Sequence, residues 1–274
     1  MKIKLLSVFF LITFFMSDCS ESVITNEKSQ KEEKYYVLII SIPKSGSHCL
    51  GNLLSALENK HFETRGHERD HNNILPMITE IKAWDKRNVI SYVHMPYKTS
   101  EADLFVAHNI KIFFIYRDPR DQLLSAINHF KDADRHIKTL NDKIYYYINT
   151  RSYNAFGKDI QPGVYGLYAS FMPWAFDERV CAVRYEDLVG EEGGGSEEQQ
   201  TETIQRVAAH LGKTLTDEEV ELVAKKIYGG TRTFYKGQIG RWRELFAAGH
   251  KKAFKENSAG QLLVALGYEE NENW

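Results

Sequence analysis

The sequence predicts an α/β fold: a single domain on a P-loop-type parallel β-sheet flanked by helices. Three observations carry this. Several apolar, β-branched runs show no polar alternation, which marks strands buried on both faces. Stretches with helical spacing separate those runs, and strand–helix–strand order implies parallel pairing with right-handed crossovers. The first run enters a glycine-containing turn and then at once a helical pattern, the local order of an anion site.

The chain has 274 residues and begins with Lys2 and Lys4 before the apolar run Leu5 to Met16. A basic start and an apolar run of about 12 residues form a secretory-signal pattern. The run is short of the roughly 20 residues of a membrane span. Residues 1–19 are therefore expected to be a signal-like or anchor segment, with a plain apolar helix as the other reading. Residues 20–34 are polar and charged and read as a linker. The domain is expected over residues 35–270.

Tyr36 to Ile42 is the first expected strand, and Pro43 to Gly46 breaks it. Leu50, Leu53, Leu54 and Leu57 then follow at helix spacing. Asn88 to Val93, Ile110 to Tyr116 and Arg179 to Arg184 are the next strands. Asp118-Pro119 ends the third strand, and Asp121 to Phe130 is expected to be helical. Tyrosine- and tryptophan-rich segments between the third and fourth strands (Tyr145 to Tyr147, Tyr165, Tyr168, Trp174) read as helices covering the sheet. The acidic, glycine-rich stretch from Glu191 to Glu198 reads as a flexible loop. A helix is expected over Thr201 to Leu211. Thr216 with Glu219 is a capping box opening another, which Gly229-Gly230 would stop.

Composition narrows the function. The chain is 43% hydrophobic and 26% charged, which excludes a disordered chain and a multi-span membrane protein. A net charge of −2, from 35 basic and 37 acidic residues, argues against nucleic acid as a partner held by global charge. It leaves a local anion pocket open. Cys19, Cys49 and Cys181 are odd in number and lack a CxxC pair, so neither a disulfide scaffold nor a zinc finger fits. Cys49 and Cys181 are expected as small core hydrophobes.

The turn Ser41 to His48 is the strongest candidate site. Backbone amides there and the helix dipole favour an anion, Lys44 can reach it, and Ser45 and Ser47 add hydroxyl donors. It is not a full Walker A, because Lys44 precedes the single Gly46. A plain strand–helix turn with a surface lysine is the competing reading.

Further segments fall in a specific order. Pro43-Lys-Ser-Gly-Ser47 resembles the 5′-phosphosulfate loop of sulfotransferases of the cytosolic type. Val93-His-Met-Pro96 is similar to that family's catalytic-histidine segment. Ile115-Tyr-Arg-Asp-Pro-Arg-Asp121 followed by Ser125 resembles its 3′-phosphate motif. Phe234 to Trp242 looks like its Arg-Lys-Gly-x-x-Gly-x-Trp, and Arg184 to Leu188 and Leu262 to Tyr268 also fit. The resemblance covers roughly residues 36–268.

The resemblance implies 3′-phosphoadenosine-5′-phosphosulfate (PAPS) as donor and a hydroxyl or amine acceptor, either a small molecule or a glycan or lipid. It implies His94 as general base and Lys44 as stabiliser of the leaving phosphate oxygen. Lys44, Ser45, Gly46, Ser47 and His48 would hold the 5′ end. Arg117, Ser125, Lys236 and Gly237 would hold the 3′-phosphate, and Tyr185 would border the adenine. The competing readings are a hydrogen-bonded strand-end histidine for His94, an ion pair with Asp118 or Asp121 for Arg117, and sheet-edge packing for Tyr185.

Departures from the family pattern are His48-Cys49 where a Trp is expected, and Tyr235 where an Arg is expected, with Arg232 nearby. The family's dimer signature is not recognisable, which leaves the oligomeric state open. No metal is expected: His61, His67 and His71 read as a polar rim. Two other functions stay in view, a P-loop nucleotide kinase and a non-catalytic nucleotide-binding exported protein. The N-terminus points to secretion or membrane attachment, the donor chemistry to the cytoplasm.

Overall fold

Among the described residues, five strands form one sheet in the order β2-β3-β1-β4-β5, and every neighbouring pair is parallel. The structure is a computed structural model that describes residues 34–62, 73–153, 155–156, 160–229 and 237–274. The expectations for residues 1–19 and 20–33, His67, His71, Arg232, Tyr235 and Lys236 lie outside the described residues.

In chain order the first elements are β1 (Tyr36–Ser41), α1 (Ser47–Glu58), β2 (His61–Phe62), α2 (Leu75–Lys86), β3 (Val89–Val93) and α3 (Thr99–Ala107). Then come β4 (Ile110–Tyr116), α4 (Pro119–His129), α5 (Leu140–Asn149), α6 (Gly163–Phe171), α7 (Pro173–Phe176) and β5 (Val180–Arg184). The chain closes with α8 (Tyr185–Leu188), α9 (Glu197–His210), α10 (Asp217–Ala224), α11 (Trp242–Leu245), α12 (Ala248–Glu256) and α13 (Ala259–Ala265). Among the described residues no helix is long and apolar enough to cross a membrane.

The unbroken apolar runs have the expected cause. Successive side chains of a strand point to opposite faces, and both faces of this sheet are covered. Leu38, Ile40, Ile112 and Phe114 pack on one side with Trp174, Tyr147 and Phe171. Val37, Ile39, Phe113 and Ile115 pack on the other with Leu50, Leu53, Ile204 and Val207. Cys49 and Cys181 are free and buried in the second layer.

The four expected strands appear within a residue or two of their expected ends. β2 was not expected; two residues are too few to show a period. α4 starts at Pro119 rather than Asp121, because Asp118 caps it by accepting from the Arg120 amide and proline suits the first turn. α9 begins at Glu197 under a Ser196 cap, ahead of the expected Thr201.

The acidic stretch is also more ordered than expected. A 3₁₀ turn spans Glu191–Gly193, and the Gly193 carbonyl accepts from the Ile239 amide. The Thr216–Glu219 capping box forms. Its helix α10 ends at Ala224, before the expected glycine stop, because tight turn bonds from Lys226 to Val223 and from Ile227 to Ala224 bury Ile227.

The capping box sits on an exposed turn and touches little else. Thr216→Ala is expected to lower the unfolding free energy by about 1 kcal/mol in urea titration.

Candidate active site

In a parallel sheet the carboxyl ends of all strands open on one edge, where ligands of open α/β sheets bind. Here that edge carries the turn after β1, His94 after β3, Arg117 after β4 and Tyr185 after β5. Register sets which of these meet. Ile40 pairs with Val93, so the next residues, Ser41 and His94, lie at one level. Tyr116 pairs with Arg184, so Arg117 and Tyr185 lie at one level.

His94 is half-buried. Its Nδ1 lies 2.9 Å from the Ser41 backbone oxygen and 3.0 Å from Ser41 Oγ. A carbonyl oxygen can only accept, so Nδ1 carries the proton and Nε2 keeps the free electron pair. Burial pushes the imidazole pKa down to about 4, with Lys44, His48 and His129 adding to the effect and the Ser41 bond opposing it. At neutral pH the ring is uncharged. Tyr92 and Phe156 stand edge-on to it, with ring centres at 5.8 and 6.0 Å.

The turn after β1 is built from two left-handed residues, Lys44 at φ 70° and Gly46 at φ 98°. A side chain at Gly46 would meet Tyr185 Cδ2 at 2.3 Å. α1 starts on Gly46 with no side-chain cap and no acidic residue in its first turn, so its leading amides and dipole face the turn. Ser45 and Ser47 are buried, and Ser45 lies beside the Tyr168 hydroxyl. Lys44 Nζ lies 3.4 Å from His129 Nδ1. Burial and the nearby Arg117 hold the Lys44 ammonium below its usual pKa. His48 packs edge-on against Phe62.

Arg117 is buried, its guanidinium 4.2 Å from the centre of the Tyr185 ring. Nη2 donates to the Gln238 carbonyl at 2.8 Å, and Nε is buried with no hydrogen-bond partner among the described residues. The ion pairs of the competing reading do not form, because both carboxylates are directed elsewhere. Asp118 chelates Arg120, whose guanidinium lies against Trp242 and Trp274. Asp121 accepts from the Gly240 and Trp242 amides. Tyr185 is buried, and its hydroxyl donates to the Gly237 carbonyl at 2.6 Å. It therefore packs beneath the turn and supports Gly46, Arg117 and Gly237. Ser125 is half-buried on α4, two turns beyond Arg117.

The uncapped helix start, Lys44 and the buried Arg117 with its unpaired Nε–H are groups that can hold an anion. Among the described residues, no group of three or more acids, histidines or cysteines could hold a metal.

Several supporting residues were missed from sequence. Ser41 orients His94, and Tyr168 donates to the Arg117 carbonyl at 2.7 Å. Gln122 donates to the Pro43 carbonyl at 2.7 Å. Glu186 accepts from the Asp118 amide and the Tyr268 hydroxyl, and burial pushes its carboxyl up to about 7. Asp121 and Glu186 sat inside quoted motifs, but nothing in the sequence separated anchors from ligand contacts.

The fold recurs in a solved structure. Mouse sulfotransferase SULT7A1, crystallised with PAP, superposes with a TM-score of 0.58 at 17% identity, covering 81% of this chain and 82% of that one. Retinol dehydratase in complex with androsterone and inactive cofactor PAP gives 0.47 at 16% identity over 81% and 80%. A sulfotransferase from Alicyclobacillus acidocaldarius gives 0.42 at 13% over 83% and 95%. No curated protein matches the chain. The sulfotransferase domain family matches residues 34–262, most of the chain and all of its sheet, so the protein belongs to the sulfotransferases, enzymes of PAPS-dependent sulfuryl transfer.

Proposed function

We propose that His94 is the general base of this sulfotransferase, moving a sulfuryl group from PAPS to the hydroxyl or amine of a small-molecule, glycan or lipid acceptor. The observation that carries this is the tautomer of His94. Its Nδ1–H is held by the Ser41 carbonyl, which leaves a neutral Nε2 to take a proton from the acceptor. When bound, the donor supplies the sulfuryl group and leaves as adenosine 3′,5′-bisphosphate (PAP).

The chain's own groups position and neutralise. Lys44 and the amides at Gly46, Ser47 and His48 face the 5′ end and the charge that grows on the leaving oxygen. Arg117 offers its unpaired Nε–H to the 3′-phosphate, and Ser125, Lys236 and Gly237 are the other residues assigned to that group. Tyr185 fixes the height of the turn from below.

His94→Ala is expected to cut turnover at least tenfold, about the lower end for a general base, while PAP binding by calorimetry stays unchanged. Turnover equal to the parent would remove His94 from the mechanism. Because burial holds the imidazole near 4, the acid limb of kcat/KM assigned to His94 is expected well below the ordinary histidine value. A limb near pH ~6.5 that vanishes in His94→Ala would contradict this. Gly46→Ala puts a Cβ at positive φ and onto Tyr185. It is expected to cost about 2–4 kcal/mol in stability by denaturation, with weakened PAP binding.

A further inference from the structure

Two segments far apart in sequence converge on the first turn of α4. On one side Gln122 holds the Pro43 carbonyl of the turn after β1. On the other, Asp121 Oδ2 accepts from the Gly240 amide at 2.5 Å and Oδ1 from the Trp242 amide at 2.9 Å. Asp121 is buried, 3% exposed, and makes no direct ion pair with Arg117. The stretch it grips has its preceding carbonyls on donor-site groups: Gln238 on Arg117 and Gly237 on Tyr185.

We propose that Asp121 is a positioning residue for the donor: its carboxylate sets the 237–242 segment against Arg117 and so shapes the 3′-phosphate pocket. This rests on the donor reading above. A buried carboxylate between two amides makes charge-assisted bonds that water cannot replace, which fixes the segment's height over Arg117. The segment is held separately on its far side, where the Ile239 amide donates to Gly193 and the Gln238 side chain to the Glu192 carbonyl. Losing Asp121 therefore frees one edge of the segment without detaching it.

Asp121→Asn keeps the shape but turns an NH₂ group toward one of the two amides. The expected result is a donor KM raised about tenfold and PAP binding weakened to match, with acceptor KM and kcat at saturating donor changed little. This split separates positioning from two simpler roles. A role for Asp121 solely as charge compensation for Arg117 predicts tighter PAP binding once its charge is removed, and a general structural role moves kcat, both KM values and the melting temperature together. Either pattern, or PAP binding equal to the parent, would overturn the proposal.

Hydrogen exchange of the parent protein gives a readout that needs no variant and no turnover. The Gly240 and Trp242 amides should exchange slowly without donor, and rapid exchange there overturns the proposal even if Asp121→Asn does not fold. A parent protein that fails to bind PAP, yet shows these amides protected, would instead refute the donor reading and leave the anchoring itself standing.

Discussion

The site depends on the parallel register of four strands. Backbone pairing of β3 with β1 brings Ser41 to His94, and pairing of β4 with β5 brings Arg117 to Tyr185. A one-residue slip would reverse the facing of every side chain on the strand and separate both pairs. Burial on both faces of the sheet penalises such a slip heavily, so the same apolar packing that stabilises the fold also fixes the spacing of the catalytic edge.

Burying Arg117 is the second constraint. A guanidinium withdrawn from water is tolerated only with compensating partners. Asp118, Asp121 and Glu186 surround it electrostatically, Tyr185 lies under its face, and Gln238 accepts one of its protons. None of these uses Nε. The raised pKa of Glu186 has a sign: the protonated form is favoured in the fold, so its contribution to stability is present below the ordinary glutamate value and is lost as pH rises through about 7. An anion held by Arg117 would add negative charge to the same cluster.

Much of this was legible in the sequence because it is local. Unbroken apolar runs gave the strands, helical spacing gave the crossovers, and the Thr216–Glu219 spacing gave a cap that forms as read. Glu191 to Glu198 read as flexible because glycine and acid dominate it. Tertiary bonds to Ile239 and Gln238 order it instead, and composition holds no trace of those bonds. The Arg-Asp-Pro-Arg-Asp run shows the same limit: its charges suggested pairing within the run, yet only Asp118 pairs there, while Asp121 serves backbone amides from the far end of the chain.

The sequence by itself determined the layering of the fold and the strand–turn–helix at Ser41–Ser47, since these follow from periodicity and residue chemistry over short stretches. Only the tertiary structure decided which nitrogen of His94 is free, that Tyr185 lies beneath the turn, and that Arg117 keeps one N–H unspent. Those outcomes depend on contacts between residues 52 to 121 positions apart, set by register and burial rather than by neighbours in the chain.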